Sequence, residues 1–259
     1  MSDFINPYAP PAAELVSLPQ NPLETRVMLS KAWQIFRARF GLFTALVMTV
    51  WVPCELFSSY MDYFVFGPDD FRKSFKLAQF LYSFFGIIAT AGVIHVTLQQ
   101  CAGDSVSFGQ ALGVGLRAWP RMWWSYFLSS LILILSVLLL VLPFFYLLPR
   151  LALVESVVIS EGLSGSAAIQ RSQELTHGHY WKVFRILSLL VLLLFSLPFI
   201  LWSLPEFFSV PDHWLLDAGI NLLCDIIAAF ETVVLFCVYD AFAKRKGEEA
   251  AHVTGSLTS

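Results

Sequence analysis

Apolar runs long enough to cross a membrane recur along the 259-residue chain. A helix needs about 20 mostly apolar residues to span the hydrocarbon core of a bilayer. Residues 40–60 supply a first span, interrupted only by Glu55, and 77–101 a second, with His95 as its one ionisable group. From Met122 to Pro149 no charge appears, but Pro143 falls inside the run. Proline removes a helical hydrogen bond and clashes with the preceding turn. The run therefore reads as the end of a third span, 122–142, a tight turn, and a fourth span, 144–160, which carries Arg150 and Glu155. Residues 186–205 form a fifth, and 216–242 a sixth interrupted by Asp217, Asp225, Glu231 and Asp240. Nothing alternates with period two over a barrel-length segment, so a membrane β-barrel is excluded. The pattern predicts an all-α integral membrane helical bundle of six transmembrane helices.

Each odd-numbered span is preceded by an amphipathic segment expected to lie at the cytoplasmic interface. The first opens with Asn21-Pro22-Leu23-Glu24, which reads as an N-cap, Pro at N1 and Glu at N3. Leu29, Trp33, Phe36 and Phe40 then line one face. The second opens with an expected capping box, Ser107 to Gln110, and continues through Leu112, Trp119 and Trp123. The third runs from Ser164 through Ala168, Ser172 and Leu175 to Tyr180-Trp181. All three end in aromatics mixed with Arg or Lys, a composition suited to the headgroup level. The chain thus reads as three repeats of interfacial helix, span, span, beginning near Asn21, Ser105 and Ser164. One six-span domain, 21–245, lies between a Pro-rich tail, 1–20, and a C-terminal tail, 246–259, both expected to be disordered.

Composition agrees with that class. Hydrophobic residues make up 57% and charged residues 14%, against about 45–50% and about 25% in soluble domains. A net charge of -3 without a long basic run gives no reason to expect a nucleic-acid partner. The lipid bilayer is the first partner, with other membrane proteins or lipids as further ones. Basic residues cluster before spans one, three and five (Arg37 and Arg39, Arg117 and Arg121, Lys182 and Arg185) and after span six at Lys244-Arg245-Lys246. Between spans one and two stand only Arg72, Lys73 and Lys76, and none lies between five and six. Positive charge collects on the cytoplasmic side, so both termini are expected there. Deleting span four would move Lys244 to Lys246 outside and break the pattern. The first residues lack the basic and apolar regions of a cleaved signal, so span one is expected to direct insertion.

At Glu161 the chain meets a recognisable pattern. Glu161-Gly162-Leu163-Ser164-Gly165-Ser166-Ala167-Ala168 leads into Arg171-Ser172-Gln173-Glu174-Leu175-Thr176, then Gly178 and Trp181-Lys182-Val183-Phe184. This resembles the YciC-like bacterial inner-membrane protein family, and the membrane domain found beside some glycerophosphodiester phosphodiesterases. The opening Asn6-Pro7-Tyr8-Ala9-Pro10-Pro11 is similar to N-terminal segments of many bacterial envelope proteins. The resemblance implies a bacterial inner-membrane location and a multi-span helical domain. It does not imply phosphodiesterase activity, which belongs to a separate soluble barrel.

Candidate chemistry rests on ionisable residues inside the spans, because each is costly in lipid and normally faces protein or water. Glu55, Arg150, Glu155, Asp225 and Glu231 form the candidate polar cluster. Arg150 is expected to pair with Glu55, Glu155 or Asp225. Asp217, Asn221, Asp225 and Thr232 follow helical spacing on one face of span six. The cluster reads either as a buried ion pair that sets helix register, or as a polar cavity for an ion, lipid headgroup or small solute. His95 is expected to make an interfacial hydrogen bond. The four Cys form no metal or redox motif, and His177-Gly178-His179 lacks a third ligand. No catalytic, cofactor or metal site is assigned. These observations favour a non-enzymatic envelope organising or accessory protein, with a small transporter or channel built on Arg150, Glu155 and Asp225 as the alternative.

Overall fold

In lipid every backbone polar group must be satisfied within its own segment, and the apolar runs accordingly fold as helices. The computed structural model describes residues 24–66, 70–139, 141–209 and 213–257. It contains helices and no strand among them. Six stretches are long and apolar enough to cross a membrane: Phe40–Phe66, Arg72–Ala102, Phe108–Leu138, Pro143–Glu161, Tyr180–Pro205 and Trp214–Gly247. The chain is a six-span, all-α membrane bundle.

Helix α1, Thr25–Ala38, buries Met28, Ala32, Ile35 and Phe36, one face of a 3.6-residue period. Its N-cap is Glu24, which makes no side-chain cap bond. The expected placing of Glu24 at N3 is therefore corrected, and Asn21 and Pro22, like the tail 1–20, lie outside the described residues. Arg39, at φ -124 and ψ 25, separates α1 from α2, Phe40–Met61. Span two combines α3, Phe71–Leu81, a π-helical turn, Tyr82–Gly86, and α4, Ile87–Ala102. It begins earlier than the expected residue 77. Helix α4 stops where Gly103 turns left-handed at φ 89, and the Asp104 N–H donates to the Gln99 carbonyl at 2.9 Å.

Helix α5, Phe108–Leu139, opens on the expected capping box. The Ser107 N–H donates to Gln110 Oε1 at 3.0 Å, and the Gln110 N–H to Ser107 Oγ at 3.4 Å. The helix then runs through Pro120 into the membrane, so the second interfacial segment is not a separate helix and span three does not start at 122. Packing on α4 explains this. A Cβ on Gly115 would stand 2.5 Å from the Ile88 carbonyl oxygen, and one on Gly92 would stand 3.4 Å from that of Ala111. Small residues let the two backbones approach so closely that the paired helices hold across the proline.

The fourth span is also corrected. It consists of two helices, α6, Val141–Leu151, and α7, Val154–Glu161, broken at residues 152–153. Pro143 lies in the first turn of α6 instead of in a turn between spans, at a position where its missing N–H would be unpaired anyway. Helix α8, Ser166–Thr176, is a separate amphipathic helix as expected, and Gly178, at φ 79, lies in the turn that leads from it into α9, Tyr180–Phe207. Helix α10, Trp214–Leu257, continues well past the expected end at 242 and through most of the stretch expected as a tail. Two of the three repeat units thus keep a distinct amphipathic helix, α1 and α8.

Burial sorts the spans. Spans three and five bury 17% of their most apolar stretch, whereas the other four bury 39–44%. Glu55, Glu155, Asp225 and Glu231 all lie on the more buried spans.

Candidate polar site in the membrane core

Glu55 on α2 and Asp225 on α10 are both buried, at 3% and 4% exposure. Asn221 stands one turn before Asp225 on the same helix and donates its Nδ2–H to Glu55 Oε2 at 2.8 Å. Tyr82 donates its hydroxyl to Asp225 Oδ1 at 3.1 Å. Spans one, two and six therefore meet through four polar side chains. Tyr82 lies in the π-helical turn of span two, where an extra residue per turn re-aims the side chains that follow. Two contacts hold that turn. Phe84, within it, accepts Trp119 Nε1–H on its carbonyl at 2.6 Å. Trp51, one turn before Glu55, sets its ring 4.3 Å from that of Tyr82 and lies where Gly86 has no side chain.

The two acids have neutral donors only. Every ion pair among the described residues lies elsewhere: Lys31 and Lys244 on Asp240, Lys73 on Asp70, and Arg171 on Glu161 and Glu174. Asp225 Oδ2 has no hydrogen-bond partner. Buried charge of one sign is costly unless a cation or proton accompanies it, and no Lys or Arg supplies one here.

A cavity of about 200 Å³ opens beside Asp225, lined also by Trp51, Tyr82, Tyr126, Thr232 and Glu155. A second, of about 210 Å³, is lined by Tyr126, Ser129, Ser130 and Glu155. Tyr126 and Glu155 border both. Glu155 stands in the first turn of α7, directly after the break in span four. Free N–H groups and the helix dipole favour an acidic side chain at that end.

The structure thus joins Glu55 to Asp225 and brings Glu155 to the same cavity, but not Arg150. The Arg150 guanidinium carbon sits 4.2 Å from the centroid of the Tyr146 ring, and among the described residues it pairs with no carboxylate. The expected ion pair is corrected: the break at 152–153 separates Arg150 from Glu155, and an aromatic face one turn away takes the cation instead. Glu231 lies off the cluster, with a buried Oε1 that has no partner. Its six-residue offset from Asp225 points it away from the polar face. His95 makes no hydrogen bond among the described residues. His179 packs against Phe242 at 5.0 Å and contacts Arg245 at 3.0 Å. No group of three or more His, Cys, Asp or Glu able to hold a metal occurs among the described residues. Sequence reasoning missed Tyr82, Trp51 and Tyr126, which sit in aromatic-rich runs with nothing local to mark them.

The segment from Glu161 to Arg171 forms a clamp. Glu161 Oε1 accepts both the Tyr239 hydroxyl at 3.0 Å and Arg171 Nε–H at 3.1 Å. Ser172 donates its hydroxyl to the Arg150 carbonyl at 2.7 Å, and the Gly165 N–H donates to Ser125 Oγ at 2.8 Å. Helices α8 and α10 are thus tied directly to the end of α7, α5 to the turn that follows it, and α6 to α8. No protein family, curated protein or solved structure matches the chain.

Proposed function

We propose that the protein is a small transporter of the bacterial inner membrane, in which Glu55 and Asp225 hold a transported or coupling cation, the simplest being a proton. One observation carries this reading: two buried carboxyls meet neutral donors only, and one of them, Asp225, borders a cavity that also reaches Glu155. Polar groups inside a membrane that lack internal partners mark ion and proton pathways. A broken span with a helix N-terminus facing a central cavity is a recurrent arrangement in carriers. The cavity, at about 200 Å³, has room for roughly six waters at about 30 Å³ each. The inner-membrane placing rests on the resemblance around Glu161 to Phe184, and the orientation, with both termini cytoplasmic, on the distribution of Lys and Arg. This reading assigns no catalytic step. It displaces the accessory role as first choice because an ion pair that merely set helix register would carry its own cation.

Proteoliposomes loaded with a pH-sensitive dye test it. Under an imposed potassium diffusion potential, the wild-type chain should acidify the lumen faster than empty vesicles. Asp225→Asn should reduce that rate about tenfold or more, as expected when an intramembrane relay loses its acid. Glu231→Gln, off the cluster, should leave it unchanged. Wild-type vesicles indistinguishable from empty ones, for protons and for a panel of small cations, would falsify the reading.

A further inference from the structure

A second polar site lies where spans two and three join, away from the acidic cavity and independent of its function. A groove of about 690 Å³ is lined there by His95 and Gln99 of α4, Asp104 of the connecting turn, and Gly109, Gly113 and Arg117 of α5. The three α5 residues recur every four positions and form one stripe of the helix. A Cβ at Gly109 or Gly113 would meet nothing within 4 Å. The stripe is thus a bare backbone floor ending at a guanidinium. The glycines that serve close packing, Gly92 and Gly115, belong to the α4–α5 contact instead. Among the described residues the side chains of His95, Gln99, Asp104 and Arg117 make no hydrogen bond or ion pair. The groove is therefore lined by donors without a protein partner and one acid, and its size falls in the range of small-molecule sites, about 300–1,000 Å³.

We infer that this groove binds a phosphate-bearing group, and specifically the headgroup of a glycerophospholipid. Guanidinium groups take phosphate oxygens through two parallel hydrogen bonds, and His95 and Gln99 add an imidazole and an amide N–H donor. Asp104 stands in the turn, placed to meet the ammonium of an ethanolamine headgroup. The location supplies the lipid. Residues 103–107 connect two membrane spans, so the groove lies at the edge of the apolar belt, where headgroups are. Leu116, beside Arg117, and Phe108, beside Gly109, are 55% and 36% exposed and offer apolar surface to acyl chains.

The test uses the full chain, purified in mild detergent and stripped of lipid, with native mass spectrometry counting what rebinds. Dioleoyl-phosphatidylethanolamine should bind the wild type as one retained lipid per chain. Arg117→Gln should weaken that retention about tenfold or more, the size expected for a lost charge-assisted hydrogen bond. Gly113→Leu, whose Cβ would meet nothing within 4 Å and whose side chain would cover the floor, should do the same. Arg37→Gln, on α1, should retain lipid like the wild type, and matched thermal melts show that all variants fold. Inorganic phosphate at millimolar concentration separates the two sources of phosphate: lipid that stays bound identifies a headgroup site, and lipid displaced by phosphate identifies a soluble phosphate compound as the ligand. Retention by Arg117→Gln equal to that of the wild type overturns the inference, as does a wild type that binds neither lipid nor phosphate.

Discussion

Asp240 shows how a single side chain can hold two helices outside the acidic cluster. Its Oδ2 accepts from Lys31 of α1 at 2.8 Å and from Lys244, one turn further along α10, at 2.9 Å. Burial works against the Lys31 ammonium, but the hydrogen bond and charge of Asp240 outweigh it and hold its pKa above the ordinary lysine value. A raised folded-state value means that the pair's stabilisation is complete below the unfolded lysine pKa. It is lost as pH rises through the folded one. Lys31 is 43% exposed on its side chain, so screening limits the effect to about 1 kcal/mol. Lys31→Met should accordingly melt below the wild type at pH 8, and the gap should close toward pH 11 in matched thermal scans of detergent-purified protein. A gap that widens with pH would show that Lys31 acts through packing instead.

Among the elements, the turn between α7 and α8 has the least freedom to vary. Gly165 sits at φ 58 and ψ -132, a conformation nearly confined to glycine, and a Cβ there would stand 3.1 Å from Trp124. Gly219, in α10, is its opposite: helical, with nothing within 4 Å of a Cβ. Gly165→Ala should therefore destabilise the protein by about 1–3 kcal/mol. Gly219→Ala should stabilise it by about 0.5–1 kcal/mol, since alanine loses less backbone entropy in a helix. Thermal melts of the two variants beside the wild type should move in opposite directions. Equal shifts would mean that the clamp around Glu161 tolerates a different turn.

For the whole molecule the testable quantity is topology. An even number of spans places both ends on one side, and the proposed orientation, which rests on the Lys and Arg distribution, makes that side the cytoplasm. Reporter fusions after Lys246 and ahead of Arg26 should both report the cytoplasm. The critical element is span four, whose two short helices, α6 and α7, must together cross the bilayer. A C-terminal reporter in the periplasm would mean that this broken span enters and leaves by the same face.

The helical class, the six apolar segments, the Ser107–Gln110 box and the polar face of span six carrying Asn221 and Asp225 were all legible in the sequence. Each follows from local pattern: hydrocarbon thickness sets segment length, and the 3.6-residue period sets which side chains share a face. Lipid enforces this by requiring backbone hydrogen bonds to close within the segment. What the sequence could not decide was which polar groups meet. Asn221 reaches Glu55 across 166 residues, and Tyr82 reaches Asp225 across 143. Those pairings depend on a π-helical turn and on how closely neighbouring helices pack. Charge complementarity alone pointed Arg150 toward an acid, whereas the fold set it over the Tyr146 ring. Pro120 reads locally as a place to break, yet α5 passes through it because Gly92 and Gly115 bring α4 and α5 close along the preceding turns. Span four breaks at residues 152–153, where no proline or glycine stands. The elements were local and so were readable, while the site is tertiary and depends on interhelical contacts that no single segment encodes.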